Sequence, residues 1–372
     1  MKIGITCYPT YGGSGIVATE LGMELALRGH EVHFISYAHP IRLDPSIERV
    51  HYHEVEVTNY PLFAYPPYCL ALAARMAEVA ECYRLDLLHV HYAIPHSVSA
   101  LLARQMLEPR RRLPFVTTLH GTDITLVGIE PAYAAITKYS IEVSDAVTSV
   151  SQYLNARTRE VFQIERPIRT IYNFVNCDRY VPRARSGRPR RLIHLSNFRP
   201  VKRAVDCVRI LKYVRAHCDA ELWMVGDGPD RGSAERLAQE MGVADSVRFL
   251  GKQDCIEKLL PQCDILLMPS EHEAFGLAAL EAMACGLAPV ATRVGGVPEL
   301  ITDGVDGFLE AVGDIEAQAR RVLLLLEDVS LYERMANAAR HTASSRFCST
   351  LVIPLYEQLY ADVLQSAPSG NL

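Results

Sequence analysis

The sequence predicts an α/β protein of two domains, each a parallel sheet wound with helices. Three observations carry this. Short apolar runs alternate with stretches of helical spacing along the whole chain. The alternation breaks at one Arg- and Pro-rich stretch and then restarts. The length of 372 residues suits two domains at roughly 100 to 200 residues each.

Lys2 to Cys7 is a short apolar run, Tyr8 to Gly15 reads as loop, Ile16 to Arg28 has helical spacing closed by Gly29, and Glu31 to Ser36 is strand-like. Together they make a βαβ unit. Leu87 to Tyr92, Pro114 to His120, Asp145 to Val150 and Ile168 to Phe174 are further strand candidates separated by helical stretches, the pattern of a parallel sheet covered on both faces. Tyr60 to Tyr83, rich in Ala, Leu and aromatics with Arg75 its only basic residue, reads as packed core rather than a membrane-facing surface. The first domain is expected over residues 1–175.

Arg183 to Arg191 holds five arginines together with Gly187 and Pro189, and reads as a solvated linker. Beyond it, Leu192 to Ser196, Glu221 to Val225, Val247 to Leu250, Asp264 to Pro269, Ala288 to Thr292 and Gly307 to Leu309 predict a second sheet, and the second domain is expected over 190–349. Two helical stretches follow, Ser330 to Ser345 and Thr350 to Gln365. Whether the last of them returns to the first domain is open. Ala367 to Leu372 reads as a frayed tail.

Composition narrows the function. A formal charge of -5 argues against affinity that comes from releasing counterions off a nucleic acid. No apolar run approaches the roughly 18 residues of a membrane span. The 10 cysteines are dispersed without a C-x-x-C pair, as expected of reduced cytoplasmic thiols. An active site is expected in a cleft between the domains, in loops after strands.

Two loops carry the chemistry. Gly12-Gly13-Ser14-Gly15 follows the first strand and opens a helix, where bare backbone amides suit an anion. Gly13 to Ala18 even matches G-x-G-x-x-A, but Phe34-Ile35-Ser36-Tyr37 lacks the acid that a dinucleotide ribose needs, which counts against a nicotinamide-dependent oxidoreductase. The second loop is Ser270-Glu271-His272-Glu273-Ala274-Phe275-Gly276-Leu277. Glu273 lies in the loop and Glu281 about one and a half turns into the following helix, so both carboxylates can face one pocket while the amides of Phe275, Gly276 and Leu277 address an anion. A phosphate flanked by hydroxyl-rich groups fits that arrangement. His120 ends an apolar strand, where its ring either enters the cleft or is a buried, satisfied histidine. His89 and His91 are spaced as metal ligands on one strand face, but no third ligand accompanies them, and no metal is expected.

Glu273 and Glu281 form the E-x7-E pattern of the retaining glycosyltransferases of family four, and the chain resembles that family through Gly226-Asp227-Gly228-Pro229, Phe249-Leu250-Gly251 and Gly295-Gly296-Val297-Pro298-Glu299 as well. The resemblance covers essentially the whole chain. It implies the GT-B fold, two Rossmann-like parallel-sheet domains facing across a cleft, the first for the acceptor and the second for a UDP-sugar donor. Met1 to Thr10, His89 to His96, Thr117 to Thr125 and Ser196-Asn197-Phe198-Arg199 look more narrowly like the branch that moves N-acetylglucosamine from UDP-N-acetylglucosamine to L-malate in bacillithiol biosynthesis.

By that resemblance, Glu281 holds the uridine ribose, Glu273 contacts hydroxyls of the donor sugar, and His120 lies beside that sugar. Gly13, Asn197 and the amides of Phe275, Gly276 and Leu277 belong to the donor site. Lys202 stands at the family's phosphate-binding lysine. The arginine that commonly precedes it by five positions is Asn197 here, leaving Arg199 as the second phosphate cation. Ser14, Tyr92 and Thr118 are candidates for hydrogen bonds to the dicarboxylate. No cofactor or metal is implied, since leaving-group charge would meet Lys202 and Arg199. The remaining alternatives are the same fold with another acceptor (a sugar or inositol phosphate, or a lipid-linked sugar) and a non-catalytic sugar-nucleotide binder, which the presence of both glutamates disfavours. A homo-oligomer is compatible with all of this.

Overall fold

The computed structural model describes residues 1–58, 61–183 and 190–366. Tyr60, most of the Arg183 to Arg191 linker and the Ala367 to Leu372 tail lie outside them.

The chain divides into two units, one of 1–172 with the segment from Val352 on, the other of 173–351. In the first, strands β1 (Lys2–Thr6), β2 (Glu31–Ser36), β3 (Val50–Glu54), β4 (Leu87–His91), β5 (Phe115–Leu119), β6 (Ala146–Ser149) and β7 (Arg169–Thr170) form one sheet in the order β3-β2-β1-β4-β5-β6-β7, with every pairing parallel. β4 and β5 are buried along their whole length, as strands covered on both faces must be. Leu72 and Met76 of the Tyr68–Tyr83 helix pack with Leu88, Val90 and Phe115. The core reading of the segment around this helix holds for the helix only: Leu62 and Tyr65, before it, are 82% and 86% exposed.

β3 was not expected. Val50-His51-Tyr52-His53-Glu54 has a single aliphatic residue, and it forms at the sheet edge, where only one flank is paired and a polar strand is tolerated. The expected strand over Ile168 to Phe174 shrinks to Arg169–Thr170, because the chain turns away at Asn173 to enter the second unit, where Val175 bridges to Cys348.

The second unit's sheet comprises β8 (Arg191–Leu195), β9 (Glu221–Val225), β10 (Val247–Gly251), β11 (Ile265–Met268), β12 (Ala288–Thr292) and β13 (Phe308–Glu310), again all parallel, in the order β10-β9-β8-β11-β12-β13. Its core joins Leu192, Leu222, Met224 and Ile265 to Val208 and Val322 of the covering helices.

The Ser349–Ser366 helix begins in the second unit and, from Val352, belongs to the first. Its Tyr356 and Tyr360 are fully buried, and Glu357 accepts hydrogen bonds from Arg28 at 2.7 and 3.0 Å. All ten cysteines are free thiols. Among the described residues no helix is long and apolar enough to cross a membrane.

Candidate active site

In the second unit the site is built on the loop between β11 and the Leu277–Ala284 helix. Gly276 begins that helix at φ 100°, a left-handed conformation that a side chain would strain. No acceptor for the amides of Gly276 and Leu277 occurs among the described residues, which leaves a helix start open to an anion. The loop is tied on three sides: the Glu271 amide donates to the Val201 carbonyl at 2.8 Å, the Gly296 amide to the Glu273 carbonyl at 3.1 Å, and the Thr292 hydroxyl to the Ser270 carbonyl.

Glu273 and Lys202, expected to face sugar hydroxyls and diphosphate respectively, face each other. Glu273 Oε1 accepts from Lys202 Nζ at 2.6 Å and from Ser270 Oγ at 2.9 Å. Lys202 reaches it from a tight turn, Pro200–Lys202. Glu281 is 4% exposed, and its Oε1 accepts from the Tyr180 hydroxyl at 2.7 Å. Arg340 fastens Tyr180 in place by donating to the carbonyls of Cys177, Tyr180 and Ala284 at 3.0, 2.7 and 2.6 Å.

Arg199 is exposed and makes no ion pair among the described residues. Asn197 Oδ1 is buried without a hydrogen-bond partner, an orphan acceptor at the end of β8. The next residue, Phe198, is fully buried at φ 42°, a strained conformation for a bulky side chain. His194 supports this turn: its Nδ1 meets the Leu267 carbonyl at 3.0 Å and its Nε2 the Ser196 hydroxyl at 2.8 Å, and burial pushes the ring down to about 4, so it is neutral. Phe275 contributes at most its amide, because its ring is buried against Phe347 with centroids 5.5 Å apart.

In the first unit Gly13 and Ser14 form the first turn of the Gly13–Leu27 helix, Gly13 exposed and Ser14 half-buried. The next residue can only be glycine, since a Cβ at Gly15 would sit 2.3 Å from the Tyr8 carbonyl. His120 follows β5. Its Nε2 shares a hydrogen bond with His91 Nδ1 at 2.8 Å, and its ring stacks on Tyr92 with centroids 5.6 Å apart. Burial, helped by the neighbouring His96, pushes His120 down to about 3, making it a neutral hydrogen-bonding group near pH 7. Tyr92 is held at φ 94° after β4. Asp123 locks the two loops together, accepting from the amides of His120, Gly121 and Ala93 at 3.1, 2.8 and 3.0 Å. Burial raises its carboxyl to about 6 even though those amides pull it down.

Thr118 departs from expectation. It is fully buried, and its hydroxyl is bonded to His89 Nε2 and Thr148 Oγ1, both at 2.6 Å, so it is structural and not a group an acceptor can reach. β5 is buried on both faces, so neither phase of the strand exposes a side chain there. His89 is occupied by Thr118 and the Tyr360 hydroxyl, and His91 by His120, so the spacing of these two histidines serves the core network.

A model of the glycosyl transferases group 1 matches residues 182–342, and one of Glycosyltransferase Family 4 matches 11–179. The chain is 45% identical over 381 aligned residues, 100% of both chains, to N-acetyl-alpha-D-glucosaminyl L-malate synthase from Bacillus anthracis. The chain belongs to the family 4 glycosyltransferases. Solved structures give this glycosyltransferase its fold, GT-B. Anabaena HepE in complex with UDP and glucose superposes with a TM-score of 0.79 at 21% identity, covering 98% of this chain and 100% of that one. A glycosyltransferase from Rickettsia africae superposes at 0.78 with 22% identity, covering 98% and 99%. In the glycosyltransferase, Glu273, Glu281, Lys202 and the open helix start all lie within the group 1 match, and Ser14, Tyr92 and His120 within the family 4 match.

Tyr180, His194 and Arg340 were not foreseen. Tyr180 lies 101 residues before Glu281, and no local pattern announces the contact.

Proposed function

We propose that this glycosyltransferase moves N-acetylglucosamine from UDP-N-acetylglucosamine to the hydroxyl of L-malate with retention at the anomeric carbon, the first step of bacillithiol biosynthesis, in the cytoplasm. The full-length 45% identity to the malate-glycosylating enzyme of Bacillus anthracis carries this reading. The second unit's chemistry supports a nucleotide-sugar donor. Glu281, oriented by Tyr180, offers a carboxylate to ribose hydroxyls, and the amides of Gly276 and Leu277 with Lys202 and Arg199 offer positive charge to a diphosphate.

The reaction asks little of covalent chemistry by the protein. The malate hydroxyl oxygen bonds to the anomeric carbon on the face the leaving group departs from. The bond from that carbon to the phosphate oxygen breaks, and the hydroxyl proton passes to the departing phosphate. Neutral His120 donates or accepts a hydrogen bond at the sugar, and Glu273 turns from Lys202 to the sugar hydroxyls once the diphosphate takes the ammonium. Ser14 and the Tyr92 hydroxyl meet the acceptor carboxylates, and the Gly13 amide faces the donor. No metal is required. Incubation with UDP-N-acetylglucosamine and a panel of hydroxy acids, sugar phosphates and inositol phosphates, read by UDP release and product mass, tests the proposal. A clear preference for a phosphorylated acceptor over malate overturns the acceptor and leaves the family standing.

A further inference from the structure

β2 and its edge partner β3 carry a group of imidazoles that glycosyl transfer does not use. Glu31 and His33 are two apart on β2 and so share a face, and His51 is the register partner of His33 on β3. His33 Nε2 lies 3.1 Å and His51 Nε2 3.9 Å from the same oxygen, Glu31 Oε1. One donor atom from each residue lies within 4.8 Å of the others. Tetrahedral zinc with bonds near 2.1 Å spaces its ligand atoms about 3.4 Å apart. Two of the three separations are therefore within a small side-chain adjustment of that spacing, and His51, 45% exposed, is free to make it.

The surroundings have the form of a metal site's support. His33 is fully buried and its ring lies against those of His51 and Tyr83, with centroids 4.7 and 4.6 Å away. Its second nitrogen, Nδ1, is 2.9 Å from His53 Nε2. A metal on Nε2 places the ring proton on Nδ1, from which it is donated to His53, the outer contact that ordinarily fixes a ligating histidine. One group opposes the ion: the Lys2 ammonium is 3.1 Å from Glu31 Oε2 and donates to Oε1 at 3.3 Å, although at 42% exposure it can swing into solvent.

We propose that Glu31, His33 and His51 form a transition-metal site, a two-histidine, one-carboxylate face that takes zinc with water in the open position. All three lie toward the strand starts, whereas Tyr92 and His120 follow strand ends, so the ion clasps the polar edge strand β3 to β2 and takes no part in glycosyl transfer.

The test uses tag-free protein in a Cys82→Ser/Cys255→Ser background, which removes two exposed thiols that would bind zinc elsewhere. Titration with zinc chloride by calorimetry should show one equivalent bound, and saturation should raise Tm by roughly 5 to 10 °C. His51→Ala and Glu31→Gln, at partly exposed positions, should each weaken binding at least about tenfold and abolish the Tm shift, with circular dichroism and transferase rate unchanged. Lys2→Met should tighten binding about two- to fivefold by removing the competing ammonium. No binding by wild type up to about 100 µM zinc, or wild-type binding by both His51→Ala and Glu31→Gln, overturns the proposal.

Discussion

Lys202 donates to Glu273 across 2.6 Å, joining two turns 71 residues apart in the second unit. Both side chains are largely shielded, at 24% and 13% exposure, so the contact keeps two charges compensated until a ligand competes for one of them. Replacing Lys202 with alanine should lower kcat on the order of 10² to 10³-fold, the size expected for one preorganised charge at a leaving group. Steady-state kinetics alongside a thermal melt check this. A folded variant with kcat within about threefold of wild type would reduce Lys202 to a residue that only positions Glu273.

Tyr180 and Glu281 form the second testable pair. Removing the hydroxyl in Tyr180→Phe takes one neutral-to-charged hydrogen bond from the carboxylate and should weaken UDP binding by about three- to tenfold. Glu281→Ala removes the carboxylate itself and should weaken it about ten- to a hundredfold. Calorimetry with UDP reads both, and equal affinities in all three proteins would take Glu281 out of the nucleotide site.

Acid should act on the first unit before the second. Burial holds His89 and His120 down to about 3 and His96 to about 4, and His91 well below its ordinary value, whereas in the unfolded chain these rings titrate near 6.5. In that window the unfolded state binds more protons, so stability is full above about pH 6.5 and is lost as pH falls toward 4 and 3. Asp123, raised to about 6, has the opposite sign and offsets part of one histidine. The second unit has His194 alone among comparably shifted histidines. The single tryptophan, Trp223, lies in β9 of the second unit and reports on it selectively. On acidification, far-UV circular dichroism should fall before Trp223 fluorescence changes; coincident transitions would refute the ordering.

Chelation should leave turnover unchanged, because the charge meeting the diphosphate is assigned to Lys202, Arg199 and a helix start. The assay is transferase rate after EDTA dialysis at a temperature well below the melt. Loss of activity that magnesium restores would assign the phosphate charge to an ion.

Succinate keeps both malate carboxylates and lacks the hydroxyl, so it should inhibit competitively against malate without being glycosylated. Lactate loses one charge-assisted contact, about 1.5 to 3 kcal/mol, and should fall one to two decades in kcat/KM. Equal kcat/KM for malate and lactate would remove the two-carboxylate pocket.

Central strands were the easiest elements to read from sequence, since burial on both faces writes itself as an unbroken apolar run such as Ile265–Met268. The edge strand β3 was not readable for the complementary reason: half-paired and polar, it resembles loop. Glu273 and Glu281 stood out by spacing along one loop and helix. Their partners Lys202 and Tyr180 arrive from elsewhere in the chain, and no sequence period encodes a contact between separate turns. Thr118 illustrates the converse error. It stands two residues before His120, in the same alternation phase, but it lies inside a strand buried on both faces, and its hydroxyl is taken up by His89 and Thr148.

The Ser349–Ser366 helix is the last described segment to leave the ribosome, yet its Tyr356 and Tyr360 complete the interior of the unit whose strands are made first. Until it emerges, His89 lacks the hydroxyl of Tyr360, and Arg28 lacks Glu357. The second unit has no such dependence on a later segment, since it is made of residues 173–351 alone. The unit whose strands are made first is thereby the one that waits for the last described helix. A released chain truncated before residue 352 should be protease-resistant in its second half while its first half is cleaved.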